Sequence, residues 1–347
     1  LPALLAVAGI FWATLAGTGC QGENTGERAA TTERERRHLT DARGRRLELA
    51  LPARRAVSLA PNLTEIVFAA GAGHRLAGVT TADDFPPAVD TLARIQAYPQ
   101  IDFEAVAALR PDLVLATDQV NAPRDAVTLT GVLGAPTYFF SFSSLADVFD
   151  AVETTGRLLG TPQQATRAAD SLRRAAARLR RRTARAIQSG RAERPLVLFL
   201  IGDETLFTFS EGSYVHELIR IAGGRSATAD LPTNAPLSEE FVLEAQPDVI
   251  VGAFGTDYDP ARLRRLHPAW QGIVPALRNG RVYSVTSPLF LRPGPRLVEG
   301  AQQLARRLHP SLFGERTAGG AARGAARGAA TNAGERPRAP RPAPEAR

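Results

Sequence analysis

Apolar residues recur at helical spacing from Leu145 to Ser189, first at Leu145, Val148, Phe149, Val152 and Leu159. The stripe resumes at Ala165, Ala168, Ala169, Leu172, Ala176, Leu179, Ala186 and Ile187, so each helix has one face built to be covered. Between the two runs, Gly160-Thr161-Pro162-Gln163-Gln164 reads as a stop followed by a start. Glycine ends the first helix, Thr161 is the expected N-cap of the next, Pro162 suits its first turn, and Gln164 is placed to close a capping box. The second helix is therefore predicted from Pro162 to about Gln188, roughly 40 Å long at about 1.5 Å per residue. Its other face carries Arg167, Arg173, Arg174, Arg178, Arg180, Arg181, Arg182 and Arg185 with little acid beyond Asp170. Such a face reads as solvated rather than as a nucleic-acid or membrane site.

The sequence on either side of this helix is alike. Upstream, Asp102-Phe103-Glu104 opens a short apolar helix that leads to Pro111-Asp112 and the buried strand Leu113-Val114-Leu115-Ala116. Downstream, Ser238-Glu239-Glu240 opens a similar helix that leads to Pro247-Asp248 and Val249-Ile250-Val251. Shared spacing predicts two related lobes flanking a rigid spacer. Further strands are expected at Ala56–Ala60, Leu76–Thr80, Pro136–Phe140, Leu196–Ile201 and Val282–Val285, with helices from Pro61, from Tyr214 to Ala222, and after Arg296. Strands that alternate with helices imply parallel sheets covered on both faces, an α/β class of two doubly wound lobes joined by one long backbone α-helix.

Composition adds bounds rather than chemistry. A chain of 347 residues with 44% hydrophobic content can bury two ordinary cores. The formal charge of +7 is carried entirely by arginine among the basic residues, concentrated in the long helix and the C-terminal tail. Neither region interleaves aromatics or carries a nucleic-acid motif, so no nucleic acid is expected as partner. The first 19 residues contain no charge and end in small residues before Cys20, the single cysteine. This pattern is expected for residues 1–20 as a secretory signal that starts within its apolar core and ends at a lipoprotein-type cysteine. A short transmembrane anchor or a soluble secreted protein is the alternative. Residues 21–40 are polar and aperiodic, as in a tether, and residues 314–347 repeat Gly-Ala-Ala-Arg and are expected to be disordered.

Ligands of open parallel sheets bind beyond the carboxyl ends of the strands. The positions there include Asn62, Phe85, Tyr98, Phe209, Tyr214, Phe254, Tyr258, Phe290 and Arg292, the candidate ligand-binding set. Aromatics make up 6% of the chain, and their gathering at these loops predicts an apolar cleft with a few polar groups, suited to a large planar or ring-shaped ligand. Packing beneath a loop is the competing role for each. The histidines His38, His74, His216, His267 and His309 are scattered without metal-ligand spacing, and no metal site is predicted.

Ala56-Val-Ser-Leu-Ala-Pro-Asn-Leu-Thr-Glu65-Ile, Gly71-Ala-Gly, Leu109-Arg-Pro-Asp-Leu-Val, Ala222-Gly-Gly, Gln246-Pro-Asp-Val-Ile, Asn279-Gly-Arg-Val-Tyr and Arg292-Pro-Gly-Pro-Arg-Leu-Val-Glu-Gly occur in order from about Leu39 to Phe313. Together they resemble the helical-backbone substrate-binding proteins of bacterial ABC importers, which carry vitamin B12, iron-siderophores or haem. The resemblance implies an N-terminal lobe at 41–143, a backbone helix at 144–190, a C-terminal lobe at 191–313, little hinge motion, and a ligand held between the lobes. It implies a monomer that needs no cofactor, binds a metal-chelate small molecule, and delivers it to an ABC permease dimer with its ATPase subunits. Its location would be the periplasmic or cell-surface side, lipid-anchored to a membrane through Cys20. The segment from Arg292 with Leu308-His309-Pro310 looks most like the cobalamin branch, although that branch has a tryptophan near the place of Tyr98. A catecholate-siderophore binder would be expected to show several cleft arginines where this chain has Arg292, and haem would need an axial Tyr or His. The resemblance also implies that Glu104 and Glu240 dock into arginines on the two permease subunits. Taken singly, each is also an acid in a helix first turn, where it complements the dipole.

Two doubly wound lobes also describe a sugar-nucleotide glycosyltransferase. That chemistry wants a glycine-rich diphosphate loop after a strand and a general base. Gly71-Ala72-Gly73 and Gly223-Gly224 instead follow helices, where they suit C-caps, and no nucleophile elbow or Ser-His-Asp order is present. The expectation is a binding protein and not an enzyme.

Overall fold

The computed structural model describes residues 35–232, 236–255 and 257–314. The signal, Cys20 and the Arg-rich tail lie outside the described residues. The chain opens with a hairpin of strands β1 (Glu35–Thr40) and β2 (Arg46–Leu51), paired antiparallel from Glu35↔Leu51 to Thr40↔Arg46. Residues 35–40, assigned to the tether on composition, thus form a strand. Their polarity fits because β1 is exposed on nearly every residue and is held by backbone pairing rather than burial.

The first lobe continues with β3 (Ala56–Ser58), α1 (Pro61–Ala69), β4 (Leu76–Thr80), β5 (Ala93–Ile95), α2 (Phe103–Ala108), β6 (Leu113–Thr117), α3 (Pro123–Val127) and β7 (Thr137–Phe140). Its five strands run parallel in the order β5-β4-β3-β6-β7. Next come α4 (Leu145–Leu159) and α5 (Pro162–Gln188). The second lobe holds β8 (Leu196–Leu200), α6 (Tyr214–Ile221), β9 (Arg225–Ser226), α7 (Glu239–Ala245), β10 (Val249–Gly252), α8 (Pro260–Leu266), α9 (Pro275–Arg278), β11 (Val282–Ser284), α10 (Pro288–Leu291) and α11 (Leu297–Leu308). Its four strands are parallel in the order β11-β10-β8-β9.

Strand β6 reads Leu-Val-Leu-Ala-Thr and is buried throughout, as a central parallel strand covered on both faces must be. Helix α4 starts with a complete capping box: Ser144 Oγ accepts from the Asp147 amide at 3.2 Å, and Asp147 accepts from the Ser144 amide at 2.8 Å. It ends at Gly160 with φ 86°, a left-handed turn that glycine makes without strain. Helix α5 then begins where the pattern places it, but Thr161 makes no capping hydrogen bond and no capping box forms at Gln164. Thr161 Oγ1 is buried without a partner, and the Gln164 side chain lies instead against Gly71.

The two lobes do not have separate cores. One apolar cluster runs from Val67 and Leu115 through Val148 and Val152 of α4 and Ala169 and Leu179 of α5 into Leu218 of α6 and Leu304 of α11. Clusters confined to one lobe cover the other face of each sheet, around Val114 and Phe139 in the first and around Leu198 and Trp270 in the second. Polar contacts reinforce the shared layer. Glu217 of α6 accepts from the Leu145 amide at the start of α4 at 3.0 Å, and Thr183 of α5 donates to the Ile221 carbonyl at 3.0 Å. A hinge between the lobes would have to break a continuous core, which interiors packed at crystal density resist. The arginines on the outer face of α5 are mostly exposed, and Arg173 pairs with Asp150, Glu153 and Asp170. No helix among the described residues is long and apolar enough to cross a membrane.

Candidate functional site: a cleft between the lobes

In the first sheet, β4 and β6 lie on opposite sides of β3, and in the second, β9 and β10 lie on opposite sides of β8. At such switch points neighbouring loops leave in opposite directions and open a crevice beyond the strand carboxyl ends. The two crevices meet in a cavity of about 440 Å³. Its first-lobe wall is Pro61 and Asn62 after β3, Gln119 and Val120 after β6, and Phe142 and Ser143 after β7. The facing wall is the segment from Phe209 to Tyr214 after β8, and Leu291, Arg292 and Pro293 close it.

Of the candidate ligand residues, the cavity brings together Asn62, Phe209, Tyr214 and Arg292. Asn62 is 4% exposed, and its amide donates to the Pro293 carbonyl across the lobes at 3.3 Å. Phe209 packs against Phe199 and Tyr214, with ring centroids 5.7 and 6.1 Å away. The Tyr214 hydroxyl donates to the Phe290 carbonyl at 3.0 Å, and burial pushes its pKa well above the ordinary phenol range. The other candidates lie elsewhere. Phe290 is fully buried and packs on Phe199 at 5.6 Å, so it belongs to the core and not to the wall. Phe254 and Tyr258 stack on one another at 4.4 Å against the core of the second lobe, and burial pushes the Tyr258 hydroxyl up to about 12. Tyr98 is 70% exposed and does not line the cavity. Phe85 lies over the Arg296 guanidinium at 4.2 Å.

Gln119, Val120 and the segment Ser210-Glu211-Gly212-Ser213 also line the cavity, though nothing in the sequence pattern marks them. Phe142 is buried and stacks on Phe140, and its carbonyl accepts from Gln119 at 3.0 Å. Small polar residues such as the serines and glycine of the β8 loop carry no ligand signature until a wall stands opposite them.

Charge is concentrated at the seam between lobes. Glu65 of α1 accepts from Arg296 at both oxygens, at 2.9 and 2.5 Å, and is only 3% exposed at its side chain. Burial raises its pKa, an effect that outweighs the hydrogen bond and charge of Arg296. Asp84 binds both terminal nitrogens of Arg292, which lowers the Asp84 pKa. Arg292 also lies 3.9 Å from Glu65. No histidine or cysteine lines the cavity, and among the described residues no group of three or more His, Cys, Asp or Glu is placed to hold a metal ion.

The two first-turn glutamates occupy equivalent exposed positions. Asp102 caps α2 by accepting from the Ala105 amide at 2.9 Å, and Ser238 caps α7 by accepting from the Phe241 amide at 3.2 Å. Glu104 and Glu240 each follow the cap by two residues, with side chains directed to solvent. Hydrogen bonds from its own amide and from Ser238 lower the pKa of Glu240.

Known proteins share this architecture. A vitamin B12-binding protein of Vibrio cholerae is 30% identical over 259 residues, which cover 74% of this chain and 90% of that protein. The uncharacterized ABC transporter substrate-binding lipoprotein YvrC of Bacillus subtilis is 27% identical over 279 residues, 80% of this chain and 87% of its own. The solved structure of the periplasmic vitamin B12-binding protein BtuF of Vibrio cholerae superposes with a TM-score of 0.63 at 28% identity, covering 74% of this chain and 97% of that one. A periplasmic heme-binding protein from Pseudomonas aeruginosa superposes with a TM-score of 0.65 at 27% identity, covering 75% and 94%. Residues 57–289, which span both sheets and the helices between them, match the periplasmic binding protein family, and the chain belongs to it.

Proposed function

We propose that this protein is the substrate-binding component of an ABC importer and that it captures a corrinoid, with cobalamin the favoured ligand, between its lobes. The observation that carries the choice of ligand is the masking of Arg292, the one arginine of the cavity wall, by Asp84 from the opposite lobe. A ligand bearing carboxylates or catecholates gains little from a guanidinium already neutralised. Haem would need an axial side chain, and the wall offers only Tyr214, whose hydroxyl is committed to Phe290 and resists ionisation. A corrinoid has its own cobalt ligation and a rim of neutral amides, which suit the amides, serine hydroxyls and apolar side chains of this wall. The similarity to vitamin B12-binding proteins supports the same reading.

In this role the protein is a monomeric carrier without resident cofactor or catalytic activity. It sits on the periplasmic or cell-surface side, anchored through Cys20, and passes its ligand to a permease dimer driven by ATPase subunits. The likeness to a substrate-binding lipoprotein supports the anchor. The test is calorimetric titration with cyanocobalamin, cobinamide, haemin and a ferric siderophore. Trp270 is fully buried and stacked on His267, so its fluorescence follows folding more than occupancy. The expected result is tightest binding of a corrinoid; binding of the siderophore alone would overturn the choice of ligand and leave the transport role standing.

A further inference from the structure

The two arginines of the segment from Arg292 to Arg296 each meet a carboxylate of the first lobe, but the two pairs are built differently. Arg296 and Glu65 are closed on one another: Nε and Nη2 meet both carboxylate oxygens, and Phe85 covers the guanidinium. Neither partner lines the cavity, and the Glu65 side chain is only 3% exposed. In the other pair, the Arg292 side chain lines the cavity and is 22% exposed, and the Asp84 side chain is 57% exposed. The backbone beneath Asp84 is pinned. Arg94 donates to the Asp83 carbonyl at 2.6 Å, and Asp83 accepts from the Thr80 amide and hydroxyl at 2.8 and 2.6 Å. The Asp84 carboxylate is thus delivered to Arg292 by a fixed loop, while the side chain itself remains exposed. An exposed pair of this kind is weak and exchangeable, whereas the buried pair beside it is not.

We propose that Asp84 is a specificity-determining residue that occupies Arg292 in place of a ligand anion and so excludes anionic chelates from the cleft. The inference rests on the transport reading above and deepens it. An incoming carboxylate would have to displace Asp84 from Arg292 and would then face Glu65 at 3.9 Å from the same guanidinium. Glu211, exposed on the opposite wall, adds a third negative charge to the approach. A neutral amide meets no such opposition, since its carbonyl brings no net charge toward Asp84, Glu65 and Glu211. Discrimination is then achieved by repulsion of the wrong ligand as much as by attraction of the right one.

The test uses haemin, which carries two propionates, and haemin dimethyl ester, which carries none, titrated in the same detergent against wild type, Asp84→Asn and the double variant Asp84→Asn/Arg292→Gln. Circular dichroism and a melting curve establish that each variant is folded. Asp84→Asn is expected to raise haemin affinity roughly tenfold, with the gain weakened by salt as an exposed Coulombic contact requires. The ester should show no such gain, and the double variant should lose it. An unchanged haemin affinity in folded Asp84→Asn, or an equal gain for the ester, would overturn the proposal. Titration of the wild type with cyanocobalamin reports separately on the ligand reading, so the two can fail independently.

Discussion

Glu65 and Arg296, separated by 231 positions in the chain, form a two-point ion pair that joins α1 of the first lobe to the start of α11 in the second. Their chain neighbours Ile66 and Leu297 belong to the shared core, and Asn62 of α1 donates to the Pro293 carbonyl across the same seam. It has the character of a strut that sets the distance between the cleft walls.

Because burial raises the Glu65 pKa above 4.5, its protonated form is relatively favoured in the folded state. The associated stability is fully present below the unfolded value and is lost as pH rises through the folded one. Asp84 has the opposite sign: Arg292 lowers its pKa below 3.8, so its contribution is present above that value and is lost as pH falls through the folded pKa. Glu65→Gln should therefore gain stability relative to wild type as pH rises above 4.5. Asp84→Asn should close its deficit to wild type as pH falls below 3.8. Urea midpoints measured across the acid range check both; parallel curves for all three proteins would refute the assignment.

Removing the cation should cost more than removing both charges. Arg296→Met leaves the buried Glu65 carboxylate without a hydrogen-bonded cation and with only Arg292 at 3.9 Å as counter-charge, an expected loss of about 3 kcal/mol. Adding Glu65→Gln should recover much of it, since the buried charge then disappears. Denaturant unfolding of the single and double variants measures the difference, and equal stabilities would mean the pair is not a buried strut.

Cap signals of similar appearance should have unequal worth. Ser144 and Asp147 form a reciprocal box at α4, so Ser144→Ala should cost about 1 kcal/mol. Thr161 has the same sequence credentials but makes no capping bond, so Thr161→Val, which removes the unpartnered hydroxyl at similar volume, should be neutral or slightly stabilising. Thermal melts of the two variants distinguish these outcomes.

The contrast shows where legibility ends. Strand β6 and the bounds of α5 could be read because burial periodicity is a local property of consecutive residues. So could the caps Asp102 and Ser238, whose partners lie three residues away. Thr161 failed because its backbone, at φ −121° and ψ 42°, is not in the extended geometry of an N-cap, and its amide, the donor that the box would offer Gln164, is already bonded to the Gly156 carbonyl at 2.7 Å. The aromatic positions were an uneven guide: Phe209 and Tyr214 line the cavity, Phe290 fills the core, and Phe85, Tyr98, Phe254 and Tyr258 lie away from it. Which way a loop aromatic turns depends on the neighbour it meets, here Phe199 for Phe290, and that neighbour is distant in sequence. The charge seam was invisible for the same reason: nothing near Glu65 announces Arg296, and Arg292 gave no sign of being masked.

The equivalent glutamates carry the remaining prediction. Glu104 and Glu240 stand at the same step of α2 and α7, one in each lobe, exposed and free of the ion pairs that occupy Glu65 and Asp84 among the described residues. A helix-dipole role accounts for one acid at each start, at roughly 0.3–1 kcal/mol. It does not require that the side chains project from both lobes at matching positions. Contacts between such carboxylates and permease cations would set encounter and register, with little influence on ligand affinity in a cleft built from other residues. Glu104→Arg and Glu240→Arg should each reduce uptake of labelled cyanocobalamin into cells strongly, and together abolish it, while calorimetric ligand affinity and melting temperature stay close to wild type. Helix-start acids alone would give a modest loss of stability with uptake preserved, and normal uptake in the double variant would assign them to that role.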